Sequence, residues 1–257
     1  MIENAILHKK TPTISHFLGL VLLNAGIDGP PVFLAHGLGS SPMEFSELVK
    51  HLRTSRAIYG FRAKGSDGLV HPLTRIEEMA QFNIDVMRVV QPHGPYTLIG
   101  YSLGGLVVLE MAHRLSAVGE KVASLVMIDS YPRTKSLVLW KRIHLLVGQM
   151  RYRGSDAMQS LKRRGVRAPL DRVRKRARFS DFLAWTRYRP AFYGGEMKFV
   201  RAAESHYPDP TTIWPRLAAE FEVEILPGDH HSVISIYSEN LASALNRHLN
   251  RSPHIDE

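Results

Sequence analysis

The 257-residue chain contains no cysteine, which excludes disulfides, thiolate metal sites and cysteine nucleophiles together, without deciding the compartment. Long apolar runs are missing as well. The most hydrophobic early stretch, Phe17 to Leu23, falls far short of the roughly twenty residues that cross a bilayer. Lys9 and Lys10 ahead of it faintly imitate a secretory leader, but Asn24-Ala25-Gly26 is a poor cleavage site. A strand leading into the turn Gly26-Ile27-Asp28-Gly29 is the expected reading, and with it a cytoplasmic location and no stable membrane insertion. There is no His-Glu-x-x-His, and the adjacent pair His230-His231 lacks the spacing that puts two ligands on one helical face, so no metal is expected. Gly37-Leu38-Gly39 is followed neither by Gly-Lys-Ser/Thr nor by a third dinucleotide-binding glycine, so no cofactor is expected.

At 44% hydrophobic and 22% charged residues, the composition is that of a globular protein, and the length suffices for one large α/β core. The net charge of +9 is unevenly placed. Between Arg133 and Pro190 stand 17 Lys and Arg against Asp156, Asp171 and Asp181, a balance of +14; the remaining 16 basic and 21 acidic residues give −5. A basic insertion over 133–190 therefore interrupts a mildly acidic core formed by 1–132 and 191–257.

Up to that insertion, strands and helices alternate. Val32 to Ala35, Ala57 to Gly60, Tyr96 to Ile99 and Val122 to Ile128 read as strands, and Pro42 to Leu52, Thr74 to Val90 and Leu103 to Leu115 as helices. This alternation predicts a mostly parallel, doubly wound sheet covered on both faces. After the insertion the pattern predicts a strand at Met197 to Ala202, a helix near Trp214 to Phe221, a strand at Glu222 to Leu226 and a closing helix from Ser232 to Leu249. The insertion opens with Leu137 to Met150, whose apolar residues share one helical face and are expected to pack on the core rather than on a membrane.

The strongest chemical signal is Gly100-Tyr101-Ser102-Leu103-Gly104, set between an apolar strand and an amphipathic helix. A turn this tight strains the serine backbone, and glycine on either side relieves the crowding, so Ser102 is exposed above the strand end as a nucleophile. A serine hydroxyl needs a base, and that base needs a carboxylate to orient it. Pro227-Gly228-Asp229-His230-His231 follows the last strand; His230 is the expected base, and His231 is expected to begin the final helix and pack. Asp129 ends the strand after the elbow helix, whereas Asp209 lies in a proline-bounded loop after the next strand; geometry allows either as the acid, and Asp129 is favoured because Asp209 suits an ordinary turn. The oxyanion of a tetrahedral intermediate needs two N–H donors, expected from Leu103 and from the loop His36 to Ser41, with Leu38 first and Gly39 next.

These stretches resemble an α/β-hydrolase and, within that fold, the thioesterase domains of polyketide and nonribosomal peptide synthases. The resemblance rests on Gly100 to Leu115, on Leu125 to Ser130 with an aspartate 27 residues after the serine, on the Trp214 segment and on Pro227 to Ile234. It implies release of an acyl chain, by hydrolysis or cyclisation, from a phosphopantetheine thioester through an acyl-Ser102 intermediate. The implied partner is an acyl carrier protein or acyl-coenzyme A, and 133–190 is implied to form a helical lid. His36 to Gly39 looks more like the loop of general esterases, so a carboxylesterase or lactone hydrolase stands as the alternative. Trp140, Tyr152, Phe179, Trp185 and Tyr188 offer stacking surfaces, but no nucleic-acid motif accompanies them and no nucleic acid is expected as partner. The short stretch before the core leaves no room for a carrier domain, so a free-standing or excised domain is expected.

Overall fold

The structure, a computed structural model, describes residues 19–133 and 168–249. Its sheet holds β1 (Leu20–Asn24), β2 (Val32–Ala35), β3 (Ile58–Phe61), β4 (Tyr96–Tyr101), β5 (Val122–Ile128), β6 (Tyr193–Ala202) and β7 (Ala218–Leu226) in the spatial order β1-β3-β2-β4-β5-β6-β7. β1 runs antiparallel to β3, and every other neighbouring pair is parallel. Among the described residues the α-helices are α1 (Ser46–His51), α2 (Ile76–Val90), α3 (Leu103–Ala117), α4 (Ala168–Arg187) and α5 (Ser238–Leu249). This is the mostly parallel, doubly wound arrangement that the strand and helix alternation predicts, and it agrees with the α/β-hydrolase fold that the resemblance implies.

Both faces of the central strands are apolar because both are covered. Phe33, Ala35, Leu98, Leu125 and Met127 pack with Ile84, Met87, Leu106 and Leu109 of α2 and α3. The alternate residues Val32, Leu34, Ile99, Val126 and Ile128 pack with Leu48, Leu241 and Leu245 of α1 and α5. Each fully buried aliphatic side chain of this kind contributes about 1.5–3 kcal/mol. Register aligns the strand ends: Ala35 lies opposite Gly100, Tyr101 opposite Ile128, and Ile128 opposite Val200. His36, Ser102 and Asp129 thus leave the sheet along one edge.

The region after the insertion departs from expectation. Trp214–Arg216 is a single 3-10 turn, and residues from Ala218 onward are strand rather than helix. Leu217 to Glu220 are good helix formers, but Phe221 and Val223 alternate with glutamates, and pairing with β6 from Tyr193 to Ala202 outweighs local propensity. The closing helix also starts later than expected. Asp229 accepts from the amides of His231 and Ser232, which folds 232–234 into a 3-10 turn, and α5 begins only at Ser238. His231 is accordingly an exposed residue at the start of that turn and not the first residue of a packed helix. Pro42 to Leu52 splits into a 3-10 turn at Pro42–Phe45 and α1.

Of the basic segment, the helix expected at Leu137 to Met150 and the aromatics Trp140 and Tyr152 lie outside the described residues. In α4, Asp181, Ala184, Trp185 and the following Tyr188 are buried along one stripe, while Arg174, Lys175, Arg176, Arg178 and Phe179 are exposed. Trp185 and Tyr188 belong to the same apolar cluster as the sheet, so their rings are core residues and not a stacking surface.

Candidate active site

Ser102 stands between β4 and α3 with φ 55° and ψ −117°, a conformation that a non-glycine residue rarely adopts. The neighbouring chain explains the glycines around it. A Cβ on Gly100 would sit 2.3 Å from the Gly104 carbonyl oxygen, and one on Gly104 would sit 2.0 Å from the Ala35 carbonyl oxygen. The elbow therefore closes only with hydrogen at both positions.

His230 reaches back from the loop after β7. Its Nε2 lies 3.0 Å from the Ser102 Oγ, and its Nδ1 lies 2.7 Å from the Asp129 Oδ2. The ring is held from several sides: Tyr101 stacks on it at 5.0 Å and donates its hydroxyl to the His230 carbonyl at 2.5 Å, and Tyr207 meets it edge-on at 5.3 Å. Asp129, 1% exposed, has φ 42° and also accepts from the Ser205 hydroxyl at 2.9 Å, the Tyr131 hydroxyl at 3.3 Å and the Ala202 amide at 3.4 Å. Burial pushes the Tyr101 and Tyr131 hydroxyls far above the usual range, and Tyr207 up to about 12, so all three stay neutral. Asp209 is elsewhere. Exposed at the start of a 3-10 turn, it accepts from the Thr211 amide at 2.9 Å and the Thr211 hydroxyl at 2.8 Å.

Leu38, Ser102, Leu103, Asp129, Tyr131, Trp185 and Tyr207 line one narrow pocket. As first residue of α3, Leu103 carries an amide with no partner inside the helix. The Gly37 amide donates to Glu44 Oε1 at 2.5 Å and the Gly39 amide to Asp181 Oδ2 at 2.8 Å, which leaves the Leu38 amide unpaired among the described residues. Gly39, the second choice from sequence, is thereby taken out of the donor role. Tyr101, Tyr131, Ser205 and Tyr207 were not legible as site residues, because they converge only through the strand register and the fold of the loop after β6. Trp185 enters the pocket from α4, far away in sequence.

No group of three or more His, Asp or Glu side chains suited to a metal ion exists among the described residues, and none of their helices is long and apolar enough to cross a membrane.

Comparison with known proteins identifies the family and agrees with the fold. The family model described as "Thioesterase domain" matches residues 30–249. Malpibaldin synthetase of Mortierella alpina is 35% identical over 182 residues, covering 68% of this chain and 3% of the synthetase. Polyketide synthase PksR of Bacillus subtilis (strain 168) is 40% identical over 120 residues, covering 47% of this chain and 5% of the synthase. The chain thus spans a small fraction of the length of these relatives. Among solved structures, the type II thioesterase BorB from the borrelidin biosynthetic cluster superposes with a TM-score of 0.71 at 18% identity, over 91% of this chain and 98% of that one. A four-domain nonribosomal peptide synthetase bound to AMP and glycine gives 0.74 at 22% identity, over 91% and 20%.

Proposed function

Because this chain belongs to the thioesterase domain family, we propose that it releases acyl chains from a phosphopantetheine thioester, carried by an acyl carrier protein or by coenzyme A, through an acyl-Ser102 intermediate. The observation that carries this reading is the unbroken relay from Ser102 through His230 to Asp129, with spacings of 3.0 and 2.7 Å. In the first half-reaction the Ser102 oxygen attacks the thioester carbonyl carbon while His230 Nε2 takes the hydroxyl proton. Asp129 holds the Nδ1–H and stabilises the imidazolium. The carbonyl oxygen becomes an oxyanion facing the amides of Leu38 and Leu103. Collapse breaks the carbon–sulfur bond, and the leaving sulfur receives the proton from His230. Water, or a hydroxyl or amine of the acyl chain itself, then repeats the sequence on the ester and frees Ser102. Residues 133–190 act as a lid in this reading, a role supported by Trp185 of α4 in the pocket wall.

Three measurements test the proposal. A fluorophosphonate probe followed by peptide mass spectrometry is expected to place its adduct on Ser102, and Ser102→Ala is expected to lose several orders of magnitude in turnover with the fold intact. Rates on an acyl-carrier or acyl-coenzyme A thioester are then compared with those on the oxygen ester and lactone of the same acyl group. Faster release from the oxygen ester or lactone would assign the chain to ester hydrolysis instead, and an adduct on another residue would remove Ser102 from the reaction.

A further inference from the structure

Asp181 takes no part in the relay, yet it is buried at 6% exposure on the inward stripe of α4, between the apolar positions Ala177 and Ala184. An ionisable side chain is costly to bury there, and burial pushes its carboxyl up, while the Gly39 amide and His36 pull in the opposite direction. Its one hydrogen bond among the described residues goes to the Gly39 amide, 142 positions earlier in the chain, at 2.8 Å. An apolar side chain would serve α4 packing better, so the carboxylate points to a task in the loop it grips.

We propose that Asp181 is a positioning residue that lets α4 hold the turn 37–40 in the form that presents the Leu38 amide to the substrate carbonyl. The proposal rests on the reading of Ser102 as the acylated nucleophile.

The turn explains how. Ser40 N–H donates to the Gly37 carbonyl at 3.2 Å, and Gly39 has φ +67°, which together describe a type II turn with Leu38 and Gly39 at its centre. The peptide between those two residues is the one that flips when a type II turn converts to type I. Asp181 accepts the N–H of that peptide; a flip would turn the Leu38 carbonyl toward the carboxylate instead. The preceding peptide is held separately, since the Gly37 carbonyl also lies 2.9 Å from His36 Nδ1. In a planar trans peptide the Leu38 N–H points opposite to that carbonyl. Of three successive amides, the outer two are each held by a carboxylate, Glu44 from the core and Asp181 from α4, and the middle one remains for the oxyanion. The far side of the turn that carries the second oxyanion donor is therefore fixed from α4, by the Asp181 carboxylate on the Gly39 amide and by Arg178 packed directly over Gly39.

The test compares Asp181→Ala, Asp181→Asn and, as a control on packing at the end of α4, Tyr188→Phe, using steady-state kinetics on an acyl-coenzyme A, binding of a trifluoromethyl ketone that forms a tetrahedral adduct, and thermal unfolding. Loss of a whole oxyanion donor costs about 10²–10³-fold in kcat, and misplacement of one is expected to cost about 10–100-fold. Asp181→Ala should show that loss in kcat, an equal loss in affinity for the ketone, and KM changed by less than about threefold. Asp181→Asn keeps an acceptor oxygen and should restore kcat to within about threefold of wild type. Tyr188→Phe should keep wild-type kcat. If Asp181→Ala does not fold, Asp181→Leu, which occupies the site without an acceptor, carries the same expectation. Wild-type kcat in the folded variant without an acceptor, or failure of Asn to rescue, overturns the proposal. Absence of a Ser102 adduct in the wild-type protein would instead overturn the underlying reading.

Discussion

Replacing Asp129 with Asn changes one buried oxygen into an amine at nearly constant volume, and the left-handed backbone at φ 42° suits Asn as well as Asp. The consequences follow from the four donors around the carboxylate. Oδ2 faces His230 Nδ1 and the Ser205 hydroxyl, and Oδ1 faces the Tyr131 hydroxyl and the Ala202 amide. With the amine in the Oδ1 position, the Ala202 N–H meets another donor, and a buried amide left unpaired costs about 1–3 kcal/mol. With the amine in the Oδ2 position every group finds a partner: Ser205 turns to accept, and His230 Nδ1 becomes an acceptor. That orientation places the imidazole proton on Nε2, where it blocks removal of the Ser102 proton. The structure therefore favours the damaging orientation, and the expected loss approaches the roughly 10⁴-fold known for the wrong tautomer in a serine triad, about 5.5 kcal/mol of activation free energy. Initial rates on an acyl-coenzyme A and the second-order rate of fluorophosphonate labelling should fall together, with the unfolding midpoint measured alongside. Asp209→Asn, which keeps the oxygen that Thr211 uses at an exposed turn, should stay within about threefold of wild type. A mild Asp129→Asn beside a crippled Asp209→Asn would refute the reasoning and move the acid to the loop after β6.

Three further outcomes are expected. Gly104→Ala should lower stability by about 3 kcal/mol or more, read from the urea midpoint, because its Cβ would lie 2.0 Å from a backbone oxygen that cannot swing away; a midpoint like that of wild type would show that the elbow can relax. Reversing charge at Arg174, Lys175 and Arg176 should lower kcat/KM for a carrier-bound acyl group mainly at low salt, and leave a short neutral thioester little changed, if the basic α4 surface steers an anionic partner; equal losses on both substrates would remove steering. Burial raises the Asp181 carboxyl above its unfolded value, so stability is full below the unfolded pKa and declines as pH rises through the folded one. Relative to wild type, Asp181→Asn should therefore gain in melting temperature as pH rises from about 4 toward neutrality, and a difference that stays constant with pH would contradict the shift.

What the sequence determined is what short-range sterics and periodicity determine. The elbow at Gly100 to Gly104 is legible because its crowding is local and only glycine relieves it. The mostly parallel sheet is legible because strands buried on both faces are continuously apolar while α2 keeps a helical period. Where local preference and distant pairing disagree, sequence misleads: Ala218 to Glu220 read as helix but lie where pairing with β6 sets the backbone. Contacts across long separations were decided by the tertiary structure alone. Sequence favoured Asp129 over Asp209 only through the turn character of the Asp209 loop, and it is the alignment of β5 with β4 and β6 that brings Asp129 against His230, 101 positions away. Sequence likewise ranked Leu38 before Gly39 as a donor without a contact to separate them, and in the folded chain the Gly39 amide is taken up by Asp181 from another part of the chain. A turn or a helical stripe is written in adjacent residues, whereas the partner of a buried polar group is chosen by which chain segments the packed sheet leaves within 3 Å of it, and that choice exists only once the molecule has folded.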